Sequence, residues 1–418
     1  MKLKTSMRLA TLAFLGVAVF ALAVGCSDDD DDGDSTGSTG AAPTATTASG
    51  GATGAAPTAT TASGGATGAT GSATGATGST GASGEVEACA PEGASSMTGA
   101  GATFPFPLYS KWFDEYATLC DTEINYQSIG SGGGIKQITE QTVDFGGSDG
   151  IMTEEAEAAA DAAGGPIMHI ATTAGAVVPV YNLAGIESLA LTLDGETLAN
   201  IFLGNITSWD DDAIAALNPD VELPGTEIAV VHRSDGSGTT FIFTNYLSKV
   251  SSDWEAGPQF GTSVEWPTGI GAQGNEGVAG QVAQIPGAIG YVELAYAVQN
   301  DLSQSLMINS SGNPIEASLE ATSLASAVPI AADMKVLITD SDNPDAWPIS
   351  GFTWVLAYVE QPDVAKGQTL AHFLWWAVHD GQEFTTALDY APLGDDAVKA
   401  AEAQILKLTC GSSPCLSE

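Results

Sequence analysis

The chain has 418 residues, with 51 acidic against 11 basic side chains and a formal net charge of −40 at neutral pH. Three of the bases (Lys2, Lys4 and Arg8) sit at the extreme N-terminus, leaving eight for the rest. So acidic a surface repels phosphate backbones and anionic headgroups, which excludes nucleic-acid binding, and its ordinary role is solubility.

Lys2, Lys4 and Arg8 precede an apolar run at 9–24. That run of about 16 residues is shorter than the ~20 a spanning helix needs and reads as an export signal over residues 1–25. It ends in Leu22-Ala23-Val24-Gly25-Cys26. Small residues before a cysteine, then polar sequence, resemble a bacterial lipobox, although Ala23 stands where that pattern prefers leucine. Cys26 is therefore the expected lipidation site, and two acyl chains of the palmitate type would give stable membrane anchoring. No second long apolar run follows.

Residues 26–94 read as a tether. An acidic run at 28–32 opens it, and the unit GAAPTATTASGGAT then occurs twice, at 40–53 and 54–67. Such a composition has little to bury and is expected to stay disordered, with an r.m.s. reach of roughly 45 Å. Four cysteines remain after Cys26: Cys89, Cys120, Cys410 and Cys415. An even number in an exported chain favours disulfides, with three connectivities open. Cys410 and Cys415 are near enough in sequence to pair locally, which would leave Cys89 with Cys120. Zinc-ligand spacing is lacking, and no metal or cofactor is expected.

From about Glu85 aromatic, β-branched and turn residues take over. The remaining stretch exceeds what one core usually covers, so two lobes are expected. Apolar runs at 124–129 and 228–231 predict strands, and 3.6-residue spacing predicts helices at 135–143, 239–250 and 365–378. That alternation argues for an α/β architecture.

Three Gly/Ser-rich turns stand before helical segments: 99–105 (GAGATFP), 130–134 (GSGGG) and 233–239 (RSDGSGT). Each places free N–H groups and small hydroxyls at a helix start, a ready site for a tetrahedral oxyanion. A single such turn is usually only a cap. Here three occur, and one carries Arg233, the only arginine after Arg8. A fourth segment, 143–150, supplies Asp149. A carboxylate only accepts hydrogen bonds, so it welcomes a protonated oxyanion and repels sulfate.

With these segments in view, the chain resembles the phosphate-binding proteins of bacterial phosphate ABC transporters, the PstS family. The resemblance lies in TGAGATFPFPLYSKW at 98–112, NYQSIGSGGG at 125–134, DFGGSD at 144–149 and RSDGSGTTFIF at 233–243. It continues through 203–224, PGAIGYVELAY at 286–296 and AWPI at 346–349, spanning about 98–406 in order. It implies a two-lobed periplasmic-binding-protein fold of type II with phosphate in the inter-lobe cleft. It also implies that Thr103, Phe104, Ser131, Asp149, Arg233, Ser237, Gly238 and Thr239 bind phosphate, with Asp235 behind Arg233. Gly132 replaces a common second serine, and Gly150-Ile151 a small-Pro pair, without removing a ligand.

The expected lobes are 95–172 with 345–418, and 173–344. The expected partners are inorganic phosphate, the permease and ATPase of an ABC importer, and the membrane through the lipid anchor, with the protein extracytoplasmic and monomeric. Two other readings are a phosphate-binding module for sensing or adhesion, and a phosphate-ester hydrolase. The hydrolase reading starts from G-x-S-x-G at 146–150, but the helical pattern begins only near Thr153 and no histidine is placed as a base. G-x-G-x-x-G at 269–274 lies after Trp266-Pro267 rather than a clean first strand, so a dinucleotide site is set aside. No catalytic residue is expected.

Overall fold

The computed structural model describes residues 86–416. The export signal, Cys26 and all but the last few residues of the expected tether lie outside them.

Nine strands make one mixed sheet. They are β1 (Ser96–Gly101), β2 (Glu123–Ser128), β3 (Phe145–Ser148), β4 (Ile167–Tyr181), β5 (Ala229–Arg233), β6 (Ile270–Ala272), β7 (Ala288–Glu293), β8 (Ser303–Gln304) and β9 (Ser350–Tyr358). The order is β2-β1-β3-β9-β4-β7-β5-β6, with β8 also on β4. The helices that matter for the site are α1 (Phe106–Cys120), α2 (Ser131–Thr139), α3 (Glu154–Gly164), α4 (Gly238–Val250), α5 (Gly274–Gln284), α6 (Val364–Val378) and α7 (Asp395–Ile405).

β4 decides the architecture. All but the first of its 15 residues are buried, as its near-continuous apolar and small-residue run requires of a strand covered on both faces. Ile167–Ala176 pairs antiparallel with β9, whereas Val177–Tyr181 pairs with β7. One strand thus passes from the first lobe into the second, and the chain returns at β9, where Ser350 lies opposite Ala176. In the first lobe β1 runs parallel to β2 and β3; in the second β5 runs parallel to β7 and β6. The turns that matter leave the C-terminal ends of these parallel strands, where open α/β sheets bind their ligands.

α1 shows how a site-bearing turn is held. Its buried residues Leu108, Tyr109, Trp112, Phe113 and Tyr116 recur at helical spacing. Tyr109, Phe113 and Tyr126 pack as one aromatic group, with Phe145 against Phe113 and Tyr126. The Trp112 indole donates to Gly381 O at 2.6 Å.

Most predicted elements lie within a residue or two of their place. The helix predicted at 135–143 is the exception: α2 begins at Ser131, so the glycines read as a turn form its first turn. Gly130, at φ +85°, makes the break instead, and Gln141, at φ +54°, leaves Val143 beyond the helix.

Cys89 pairs with Cys120, and Cys410 with Cys415. The first bridge corrects the tether boundary. Residues 86–94 are tied to the first lobe by this disulfide, by Tyr116 Oη donating to Ala88 O (3.0 Å), by His372 Nδ1 donating to Glu87 O (2.7 Å), and by Ala94 N donating to Ala365 O (3.1 Å). The segment before β9 departs from the expected division as well. Ala332 O accepts from Gln404 on α7, Met334 O accepts from Trp354 on β9, and Lys335 pairs with Glu157 on α3. These residues, expected in the second lobe, lie against the first.

Candidate functional site

β1 ends at Gly101, and the next turn carries Thr103 and Phe104, both buried. The Tyr296 hydroxyl donates to Thr103 O and the Tyr390 hydroxyl to Phe104 O, each at 2.6 Å. These bonds fix the turn's carbonyls and leave the Phe104 N–H without a protein partner among the described residues. After β2, Gly130 allows Ser131 to start α2. Beyond its positive φ, a Cβ at Gly130 would sit 2.3 Å from Asp235 Oδ2, so only glycine fits. After β3 comes Asp149, 1% exposed.

The second lobe contributes Arg233 at the end of β5, its side chain 1% exposed. Asp235 holds the guanidinium side-on, with Nε to Oδ1 at 2.8 Å and Nη2 to Oδ2 at 2.5 Å. This pairing offsets the buried charge and orients the remaining Nη1. Ser237 caps α4, its Oγ accepting from Thr240 N at 3.1 Å. Gly238 and Thr239 form the first turn of α4.

The two lobes are closed on each other. Gly132 N donates to Gly236 O and Gly238 N donates to Ser131 Oγ, each at 2.9 Å. The sequence-predicted residues therefore converge: Thr103, Phe104, Ser131 and Asp149 from one side, Arg233, Ser237, Gly238 and Thr239 from the other, with Asp235 behind Arg233. The Gly238 N–H is engaged by Ser131, while the Thr239 N–H has no protein partner among the described residues.

Asp149 is the electrostatic exception. Burial pushes its carboxyl up to about 7, against the Thr353 hydroxyl bond and the Arg233 charge, which favour the ionised form. Thr353 Oγ1 donates to Asp149 Oδ1 at 2.7 Å, and Ser131 Oγ lies 3.4 Å from Oδ2. A convergent set of O–H and N–H donors, one buried cation and one acceptor suits a small oxyanion that still carries a proton.

Sequence reasoning passed over Asn275, Thr353, Tyr296 and Tyr390. Asn275 had a signal. The 269–274 glycine pattern, set aside as a nucleotide motif, spans β6 and the start of α5, a fourth strand–turn–helix junction. Thr353 sits inside the buried strand β9, where nothing in the pattern marks it. The G-x-S-x-G match has no elbow geometry. Ser148 Oγ donates to Gly150 O at 2.5 Å, and the next helix begins only at Glu154. His169 is bonded to Met152 N through Nε2, and burial lowers its pKa to about 3.

Comparison with known proteins fits this geometry. A family model described as a PBP superfamily domain matches residues 33–380. The phosphate-binding protein PstS of Xylella fastidiosa (strain Temecula1) is 44% identical over 333 residues, covering 78% of this chain and 90% of that one. PstS of Pasteurella multocida is 44% identical over 316 residues, covering 74% and 90%. PstS of Methanocaldococcus jannaschii is 33% identical, covering 72% and 82%. Among solved structures, the high-affinity periplasmic phosphate-binding protein PfluDING, bound with phosphate, superposes with a TM-score of 0.62 at 21% identity, covering 74% of this chain and 93% of that one. A phosphate-binding protein from Stenotrophomonas maltophilia gives 0.58 at 22% identity, covering 74% and 94%. At these identities the structural likeness speaks for the fold alone, the two-lobed α/β binding-protein architecture.

Proposed function

The chain belongs to the PstS family of phosphate-binding proteins within the PBP superfamily, and from that premise we propose that it captures inorganic phosphate outside the cytoplasm and delivers it to a phosphate ABC importer. The observation that carries this reading is Arg233, the one arginine beyond the N-terminus, buried within reach of small hydroxyls and a near-neutral carboxyl.

In this reading Thr103, Phe104 and Ser131 bind phosphate from the first lobe, and Ser237, Gly238, Thr239 and Arg233 from the second. Phosphate takes the Gly238 N–H over from Ser131. Asp149 accepts the phosphate hydrogen, and the same acceptor opposes sulfate, which has no proton to give. The lobes hinge where β4 changes partners, between Ala176 and Val177, and at the start of β9. Closure over the anion is what the permease reads. A diffuse acidic field does not oppose capture strongly, because salt screens it beyond roughly 8–10 Å while the donors act in contact.

The protein works as a monomer held to the membrane by acyl chains on Cys26, with the stretch up to about residue 85 as tether. It turns over no phosphate ester, and an assay should read none above a Ser148→Ala control. Among the described residues no helix is long and apolar enough to cross a membrane.

The test is phosphate capture by protein stripped of ligand by unfolding and refolding. Arg233→Ala removes the fork and strands Asp235, so affinity should fall by roughly 30- to 1,000-fold. Unchanged affinity in a folded variant would reject the assigned site.

A further inference from the structure

Two hydroxyls in the site have a hydrogen-bond polarity that the protein itself dictates. Thr103 Oγ1 accepts from Asn275 Nδ2 at 2.8 Å and from Asn275 N at 3.3 Å. Thr239 Oγ1 accepts from Asn275 Nδ2 at 3.0 Å and from Arg233 Nη1 at 3.4 Å. A threonine hydroxyl has two lone pairs and one proton. Here all four lone pairs meet N–H donors, so each hydroxyl must direct its proton elsewhere. No protein group among the described residues accepts either proton.

The Asn275 amide cannot be turned over to relieve this. Its Oδ1 accepts from Glu293 N at 3.0 Å, and that group only donates, so the NH₂ end is fixed on the two threonines. Asn275 is fully buried. The neighbouring hydroxyls differ. Ser131 Oγ accepts from Asp149 N (3.2 Å) and Gly238 N (2.9 Å) but can pass its proton to Asp149 Oδ2. Ser237 Oγ has one N–H on it and can still either give or accept.

We propose that Asn275 is a positioning residue that sets specificity. It locks Thr103 of one lobe and Thr239 of the other as obligate donors, so the ligand oxygens they meet must act as acceptors. Asp149 imposes the converse demand. The cleft therefore favours a tetrahedral oxyanion that turns accepting oxygens to the two threonines and its proton to Asp149. The inference rests on the phosphate reading above.

The experiment is calorimetric titration of the full chain with inorganic phosphate, in wild type, Asn275→Ala, the Thr103→Val/Thr239→Val pair and the triple variant, with thermal melts to confirm folding. Asn275→Ala should lower affinity about 10- to 100-fold in the wild-type background. It should cost less than about 3-fold where both hydroxyls are gone, because nothing remains to orient. Equal losses in the two backgrounds would reduce Asn275 to packing and overturn the proposal. Asn275→Asp supplies a second arm. It keeps the shape but offers acceptors, turning both hydroxyl protons inward, so it should bind more weakly than Asn275→Ala. Equal or tighter binding by Asn275→Asp would also overturn it. Wild type that fails to bind phosphate would sink the functional reading itself, whereas wild-type affinity in Asn275→Ala would sink this inference alone.

Discussion

A carboxyl held near neutrality in a cleft built for an anion is the most telling single residue. Asp149 titrates at about 7 in the folded chain because it is buried, against ~3.9 when unfolded. Between those values the folded state keeps a proton that the unfolded state has lost. Stability from this group is therefore present below about pH 4 and lost as pH rises through about 7. Phosphate-free Asp149→Asn should gain on wild type across that window, by up to ~4 kcal/mol, an upper bound because lobe opening rehydrates the carboxylate. Glu293, whose carboxyl burial also raises well above its usual range, is pushed further up by the Asp149 charge, and Asp149→Asn removes that smaller push, which acts in the same direction. Denaturant melts from pH 4 to 8 read this, and parallel stability–pH curves would refute it. At this scale the sequence exposes residues that sit in recognisable turns: Arg233 by its rarity, Thr103, Ser131 and Asp149 by their glycine neighbours. Thr353 stayed invisible because a threonine in a buried strand looks like any β-branched residue, although its hydroxyl bonds Asp149.

Helix starts and strand ends build the cleft, and their close approach can be tested. Gly238 opens α4 on the second lobe, and a Cβ there would lie 2.4 Å from Asp149 Oδ2 and 2.6 Å from Asp149 N on the first. Gly238→Ala should thus wedge the lobes apart without disturbing either core. Phosphate release should quicken at least 10-fold while the melting temperature of ligand-free protein barely moves; an unchanged release rate would mean that this contact does not limit closure. Element types were readable from periodicity, because long apolar faces such as that of α6 repeat every three to four residues. The start of α2 was misplaced because glycines read as a turn when nothing in the sequence shows that Gly130 alone takes the left-handed backbone. The edge of the tether was misplaced for a different reason. Residues 86–94 are mostly small and none is fully buried, and it is the Cys89–Cys120 bridge, backbone hydrogen bonds and the packing of Val86 and Ala88 against the core that fix them.

Residues 86–416 form an acidic two-lobed body, proposed to hang from the membrane by one lipidated cysteine. The anchor makes a direct prediction: the protein should partition into detergent with membranes, and Cys26→Ser should release it to the aqueous phase. Aqueous partitioning of the unaltered protein would argue for an ordinary cleaved signal. The division into two lobes was legible from length and alternation, whereas the lobe edges were not. They depend on β4 being shared between the lobes and on residues 332–335 lying across the first lobe, long-range contacts that no local pattern encodes. This body is proposed to recognise phosphate by its proton as well as its charge. The most direct measurement is calorimetric titration of the stripped protein at about pH 8, where Asp149 is mostly ionised, with phosphate and with sulfate, in wild type and Asp149→Asn. Wild type should bind phosphate and not sulfate, and Asp149→Asn should gain sulfate binding. Sulfate bound by wild type as well as phosphate, or no phosphate binding by the folded protein, would contradict it.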